Sequence, residues 1–153
     1  MMAVEEQQNE IEKKDVIGKI FFIKEQLEET PIAEWQVNKL VDYIFTLCKL
    51  MPNLSDMKDY AYVNAQAVED EYKSAVRDEY LKLKTGEEKM TDGMAKAQAE
   101  QRCDSIKKEQ LKAEHKARWL RSLYDDCDRL ISFTQTKAKT INDDRIRSNI
   151  PNN

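Results

Sequence analysis

From Ala99 to Ile141, apolar and small residues return at alternating spacings of four and three: Ala99, Cys103, Ile106, Gln110, Ala113, Ala117, Leu120, Tyr124, Cys127, Ile131, Thr134, Ala138 and Ile141. That alternation marks a heptad seam along one face of a helix. No Gly or Pro occurs between Gly93 and Pro151, so nothing local interrupts it, and a rise of 1.5 Å per residue gives a span of about 65 Å. Such a helix needs partners along its seam. Gln110 and Thr134 are the polar members; residues of this kind either fix register at some cost in stability or sit near the surface.

Upstream, a first helix is expected from about Asn9 to Glu29, with Val16, Ile20, Ile23 and Leu27 on one face and Ile17 and Phe21 widening it. Thr30-Pro31 reads as a cap and a first-turn proline. A second helix then covers Pro31 to Met51 through Val37, Val41, Ile44, Cys48 and Met51, joined by Trp35, Leu40, Phe45 and Leu47, and Pro52 ends it. A third runs from Asn53 or Ser55 to about Lys84, on Ala61, Ala65, Val68, Tyr72 and Ala75, then Val76, Tyr80 and Leu83, with Gly86 as its stop. The segment TGEEKMTDG carries turn chemistry, and Thr91 or Asp92 can cap a fourth helix.

The third and fourth helices should therefore form an antiparallel hairpin. With its turn near Lys89, the pairs Tyr80 and Ala99, Val76 and Cys103, Val68 and Gln110, Ala65 and Ala113, and Ala61 and Ala117 face one another. Small residues meet small ones, which permits close approach. Around and beyond Tyr124 the apolar surface broadens to include Trp119, Leu123, Leu130 and Phe133, where the first two helices should dock. The expected fold is all-α: an elongated antiparallel helical hairpin (53–141) with coiled-coil-like packing, a small N-terminal helical pair (1–52) and a polar C-terminal tail (142–153).

Composition sharpens this. Among 153 residues 35% are charged, with only three Gly and three Pro, too few for a sheet with its turns. The net charge of -4 hides an asymmetry: residues 1–30 carry 4 basic and 8 acidic side chains, 31–93 carry 8 and 12, and 94–153 carry 13 and 9. A basic last helix on an acidic protein points to a polyanion or an acidic surface as partner. The start MMAVEEQQNE is acidic, and the longest apolar run is Ile20-Phe21-Phe22-Ile23. No export or membrane-spanning segment is expected, and three cysteines without a CxxC spacing suit a reduced, cytoplasmic protein.

Candidate chemistry concentrates in one stretch. Lys107, Lys108, Lys112, Lys116, Arg118 and Arg121 fall within fifteen residues, against Glu109 and Glu114. On a helix their charge wraps around several sides. It would bind nucleic acid by phosphate neutralisation without a base code, or form a solvated flank paired with a neighbour's carboxylates. Trp119 and Tyr124 lie close enough to stack on unpaired bases, though aromatics at this spacing also serve a core. Asp125, Asp126, Asp128, Asp143 and Asp144 make no ready cage for a metal, because consecutive helical residues point about 100° apart. His115 has no nucleophile beside it, and no phosphate-binding glycine loop or zinc-ligand spacing occurs. Neither an enzyme nor a cofactor is expected.

The stretches EYLKLKTGEEKMTDG and SIKKEQLKAEHKARWLRSLYDDCDRLISFTQTKAK, within Tyr60 to Ile141, give a helix, a polar turn and a Lys-rich second helix. In this the chain resembles the recombination mediator family of T-even-type phages. The resemblance implies an oligomer that binds single-stranded DNA and helps load a recombinase onto strands covered by single-strand-binding protein. It implies phosphate contacts from Lys107, Lys108, Lys112, Lys116, Arg118 and Arg121, and self-association through Trp119, Leu123, Leu130, Ile131, Phe133 and Ile141. Two other readings remain open. One is a non-catalytic protein-binding module or inhibitor, for example a phage-encoded blocker of a host nuclease, presenting Glu69, Asp70, Glu71, Asp78 and Glu79 to a basic protein partner. The other is a purely structural coiled-coil scaffold.

Overall fold

A proline in the middle of a helix governs how this chain packs. A computed structural model describes residues 2–31, 34–86 and 90–148, which form four helices and no strand: α1 (Met2–Glu29), α2 (Val37–Thr85), α3 (Asp92–Arg102) and α4 (Asp104–Ser148). The fold is all-α, with α2 and α4 as its long pair. Pro52 lies inside α2, so the expected boundary there is replaced by one continuous helix. Proline lacks the N–H that would bond the Cys48 carbonyl, at a cost of about 3 kcal/mol in a helix interior. Its ring is exposed, while Leu47, Leu50 and Leu54 on either side are buried. Burying a leucine contributes roughly 1.5–3 kcal/mol, so three of them outweigh the proline.

Once the helix is continuous, its repeat becomes visible. Leu40, Leu47, Leu54, Ala61, Val68 and Ala75 succeed one another at seven-residue intervals, and none is exposed. This corrects the expected second-helix stripe: Val41, Phe45 and Cys48 are exposed, whereas Leu40, Leu47 and Leu50 are buried. The start of α2 also differs, at Val37 rather than Pro31. Trp35 is buried and its indole donates to the Thr30 carbonyl (2.9 Å), while the Glu34 N–H donates to the Pro31 carbonyl (2.8 Å). These bonds tie Glu34 and Trp35 back to Pro31 and Thr30.

The chain divides into two units, one made of the segments up to Met57 and from Ser122 onward, the other of Lys58–Arg121. In the first, α1 buries the expected face of Val16, Ile20, Ile23 and Leu27, but Phe21 is exposed and Ile17 only half-buried. The core continues with Trp35, the α2 leucines, and Leu123, Cys127, Ile131, Thr134 and Ala138 of α4. Trp35 meets Phe133 edge-on at 6.0 Å between ring centres, which realises the docking of the N-terminal helices on this part of α4. Helix α1 begins at Met2, upstream of Asn9, because no Gly or Pro precedes Gly18. Helix α4 runs on through 142–148, expected as tail, with Arg145 and Arg147 complementing its C-terminal dipole. Residues 149–153 lie outside the described residues.

The second unit is the hairpin. Leu83, Ala95 and Ala99 form a buried cluster against Val76, Tyr80 and Met90, in the expected register. Arg102 pairs with Glu79 (3.2 Å) and Lys84 with Asp92 (2.5 Å), and Tyr80 Oη donates to Asp92 (3.4 Å). Thr91 is the N-cap of α3, its hydroxyl accepting from the Met94 N–H (3.4 Å). Helix α2 stops before Gly86, but no described glycine has a positive φ, so the stop does not use a left-handed cap. Lys89, the expected turn centre, lies outside the described residues.

The fourth helix is interrupted once, at Cys103, where ψ is 15°. The Cys103 N–H is shared between the Ala99 and Glu100 carbonyls (3.1 and 3.2 Å), and its own carbonyl still accepts from Lys107 (3.0 Å). This is a one-residue tightening with a bifurcated bond, which needs neither Gly nor Pro. The seam survives it: all thirteen positions from Ala99 to Ile141 are buried or half-buried.

Replacing Pro52 by Ala should stabilise the protein by up to about 3 kcal/mol in urea unfolding, and Leu54→Ala should cost about 2–5 kcal/mol. The thiols should separate by reactivity. Cys48 is exposed, whereas Cys103 and Cys127 are buried, and burial, with Cys48 and Asp128 adding to it, pushes the Cys127 thiol up to about 11. Because the folded state holds that proton more tightly, its contribution is present below the ordinary value of 9.0 and fades as pH rises toward 11. Iodoacetamide treatment and mass spectrometry at about pH 8 should mark Cys48 alone until the protein is unfolded.

Candidate nucleic-acid interface

The six basic residues all lie on the part of α4 that belongs to the hairpin unit. At 100° per residue, Lys108, Lys112, His115 and Trp119 fall opposite the seam, Lys116 turns toward one flank, and Lys107 and Arg118 toward the other. All six are exposed except Lys107, which is half-buried. Each of three is paired on its own helix: Lys108 with Asp104 (2.7 Å), Lys112 with Glu109 (2.8 Å) and Arg118 with Glu114 (3.9 Å). The Asp104 carboxylate holds the Lys108 ammonium above its ordinary range. Exposed pairs of this kind are weak and salt-screened, so a phosphate can compete for the lysine. Lys116 and Arg121 make no ion pair among the described residues.

Lys107 has a different role. Its ammonium sits over the Tyr72 ring (4.7 Å) and donates to Gln110 Oε1 (3.1 Å). Gln110, buried on the seam, donates in turn to Glu114 (2.8 Å), so its amide is satisfied on both ends. Thr134, the other polar seam position and fully buried in its own unit, donates to the Leu130 carbonyl (2.7 Å). Of the expected phosphate-binding set, Lys107 is thus engaged between the two hairpin helices, and the other five are exposed but spread around α4.

The acidic residues expected to meet a partner do not form one patch. Glu69 pairs with Lys73 (2.6 Å), which holds its carboxyl below the usual range with a smaller contribution from Lys107. Glu79 is shared by Lys82 (2.6 Å) and Arg102 (3.2 Å). Asp70, Glu71 and Asp78 make no ion pair among the described residues, and all three are exposed. The expected self-association residues also divide. Leu123 and Ile131 are buried inside the chain, Leu130 and Ile141 are half-buried, Phe133 is exposed but engaged by Trp35 and by Lys137 (5.5 Å), and Trp119 is exposed.

Residues missed by the sequence patterns are the exposed apolar ones. Leu111 lies on the outer side of α4 between Lys108 and Lys112, and Tyr62 and Val63 are exposed on α2. Their signal was faint: apolar residues one or two positions away from a heptad seam. Among the described residues, no group of three or more His, Cys, Asp or Glu could hold a metal ion, and no helix is long and apolar enough to cross a membrane. No protein family, curated protein or solved structure matches the chain.

The hairpin ties should respond to acid. Lys82 and Arg102 lower the Glu79 carboxyl, and Lys84 lowers that of Asp92. Groups lowered in the folded state stabilise it above their ordinary values of 4.5 and 3.8 and lose that contribution as pH falls. Thermal melts monitored by circular dichroism should therefore show a smaller loss between about pH 5 and pH 3 for Glu79→Gln than for the parent.

Proposed function

We propose that this is a non-catalytic, oligomeric protein that binds single-stranded DNA as a recombination mediator, assisting a recombinase on strands held by single-strand-binding protein in the cytoplasm of a phage host. The observation that carries this reading is the basic stretch of α4, where Lys108, Lys112, Lys116, Arg118 and Arg121 are all exposed, Lys108 and Lys112 on the side opposite the seam. Successive steps of four residues advance about 6 Å along the axis, which suits a row of phosphates. Such a surface binds through counterion release and reads no sequence. The resemblance of the helix, turn and Lys-rich helix to the T-even mediators supplies the biological role. No cofactor is required.

A second reading draws on α2. Asp70, Glu71 and Asp78 are exposed without an ion pair among the described residues, as an inhibitor directed at a basic protein would need.

Anisotropy of a labelled single-stranded oligonucleotide across a salt series separates the two. Log affinity should fall with log salt by about 0.7 per phosphate contacted, and Lys108→Glu, Lys112→Glu and Lys116→Glu together should flatten the slope by about 2. Light scattering in the same buffers should give a mass above the 17.9 kDa of one chain. Absence of binding even at low salt would sink the mediator reading and leave the acidic side of α2 as the candidate.

A further inference from the structure

We infer that Trp119 is a stacking platform for an unpaired base, with the neighbouring cations holding the flanking phosphates; this rests on the single-strand-binding reading above. The two tryptophans of the chain are treated very differently. Trp35 is 8% exposed and its indole N–H is bonded to the Thr30 carbonyl. Trp119 is 40% exposed, and its indole makes no hydrogen bond to another described residue. Tryptophan is normally among the more thoroughly covered side chains. Here α4 turns its seam residue Leu120 inward, at 1% exposure, and leaves the adjacent indole outside.

The charge around that ring is one-sided. No carboxylate occurs in the sequence between Glu114 and Asp125, while His115, Lys116, Arg118 and Arg121 all do. Helical side chains lean toward the N-terminus, so the indole covers the turn that carries His115 and Lys116. One further turn back, Lys112 is exposed on the same side. A nucleotide whose base lies on Trp119 would therefore meet cations toward the N-terminus of α4, with Lys116 on the adjoining flank free of ion pairs among the described residues; Arg121, two residues on, turns about 160° away from the ring.

The ligand class is set by the chemistry of a flat, exposed indole. Every base has a π-face, so stacking tolerates sequence; bases inside a duplex are already stacked and present only their edges. The site thus favours single strands over duplexes, which phosphate neutralisation alone does not.

Titrating the full-length protein with an oligothymidine while recording tryptophan emission and, separately, anisotropy of the labelled strand tests this. Binding should quench the emission, and the quench should disappear in Trp119→Phe although that variant still binds. Trp119→Ala should bind about 5- to 150-fold more weakly at unchanged salt slope. A duplex of equal length should leave the emission unchanged. If Trp119→Ala binds like the parent, or binding leaves the emission unaltered, the stacking site is overturned and the basic surface survives. If no strand binds even at low salt, both fall.

Discussion

The structure depends on the seven-residue apolar repeat of α2. Leu40, Leu47, Leu54, Ala61, Val68 and Ala75 keep one side of a 49-residue helix turned away from solvent through a proline that would otherwise end it. The leucines belong to the unit containing the N-terminal helix, and the smaller residues to the hairpin. Side-chain size changes along one helix without a change of phase. Leucines suit a three-helix core that must be filled, and alanines suit a pair of helices in close approach.

Local and non-local causes divide what could be read in the sequence from what could not. The seam from Ala99 to Ile141 was legible because its polar members are rare and its small and apolar members regular. The α1 face and the Thr91 cap were legible because each is a local pattern with a local cause. Pro52 misled because its penalty is local, whereas its compensation comes from leucines whose burial depends on other helices. With the helix divided there, Val41, Phe45 and Cys48 made an equally good stripe, and only continuity with Leu54 and Ala61 distinguishes the correct face. Cys103 is the converse case, a break in dihedral angle with no residue-type signature.

The candidate site divides along the same line. A cluster of lysines is visible in any sequence, but its availability depends on partners. Lys107 is drawn between two helices by Tyr72 and Gln110, and Lys108 and Lys112 are held only by carboxylates of their own helix. For Trp119, periodicity alone could not decide between core and surface, since position 119 lies beside a seam whose width is set by whatever packs on it. Its exposure is a tertiary fact.

The contact of Lys107 with Tyr72 bears on how the hairpin aligns. Where alanines face alanines, sliding one helix past the other by seven residues brings equivalent small side chains together again, and apolar packing barely distinguishes the two alignments. The Lys107 contact to Tyr72 and the Arg102 pair with Glu79 cross between the helices and exist in only one of them, whereas the bonds of Gln110 stay within α4. Alignment information is thus concentrated in a few side chains, and most of the interface is interchangeable. A seam of this design can drift over evolution, residue by residue, while a few cross-helix contacts keep the two helices in step.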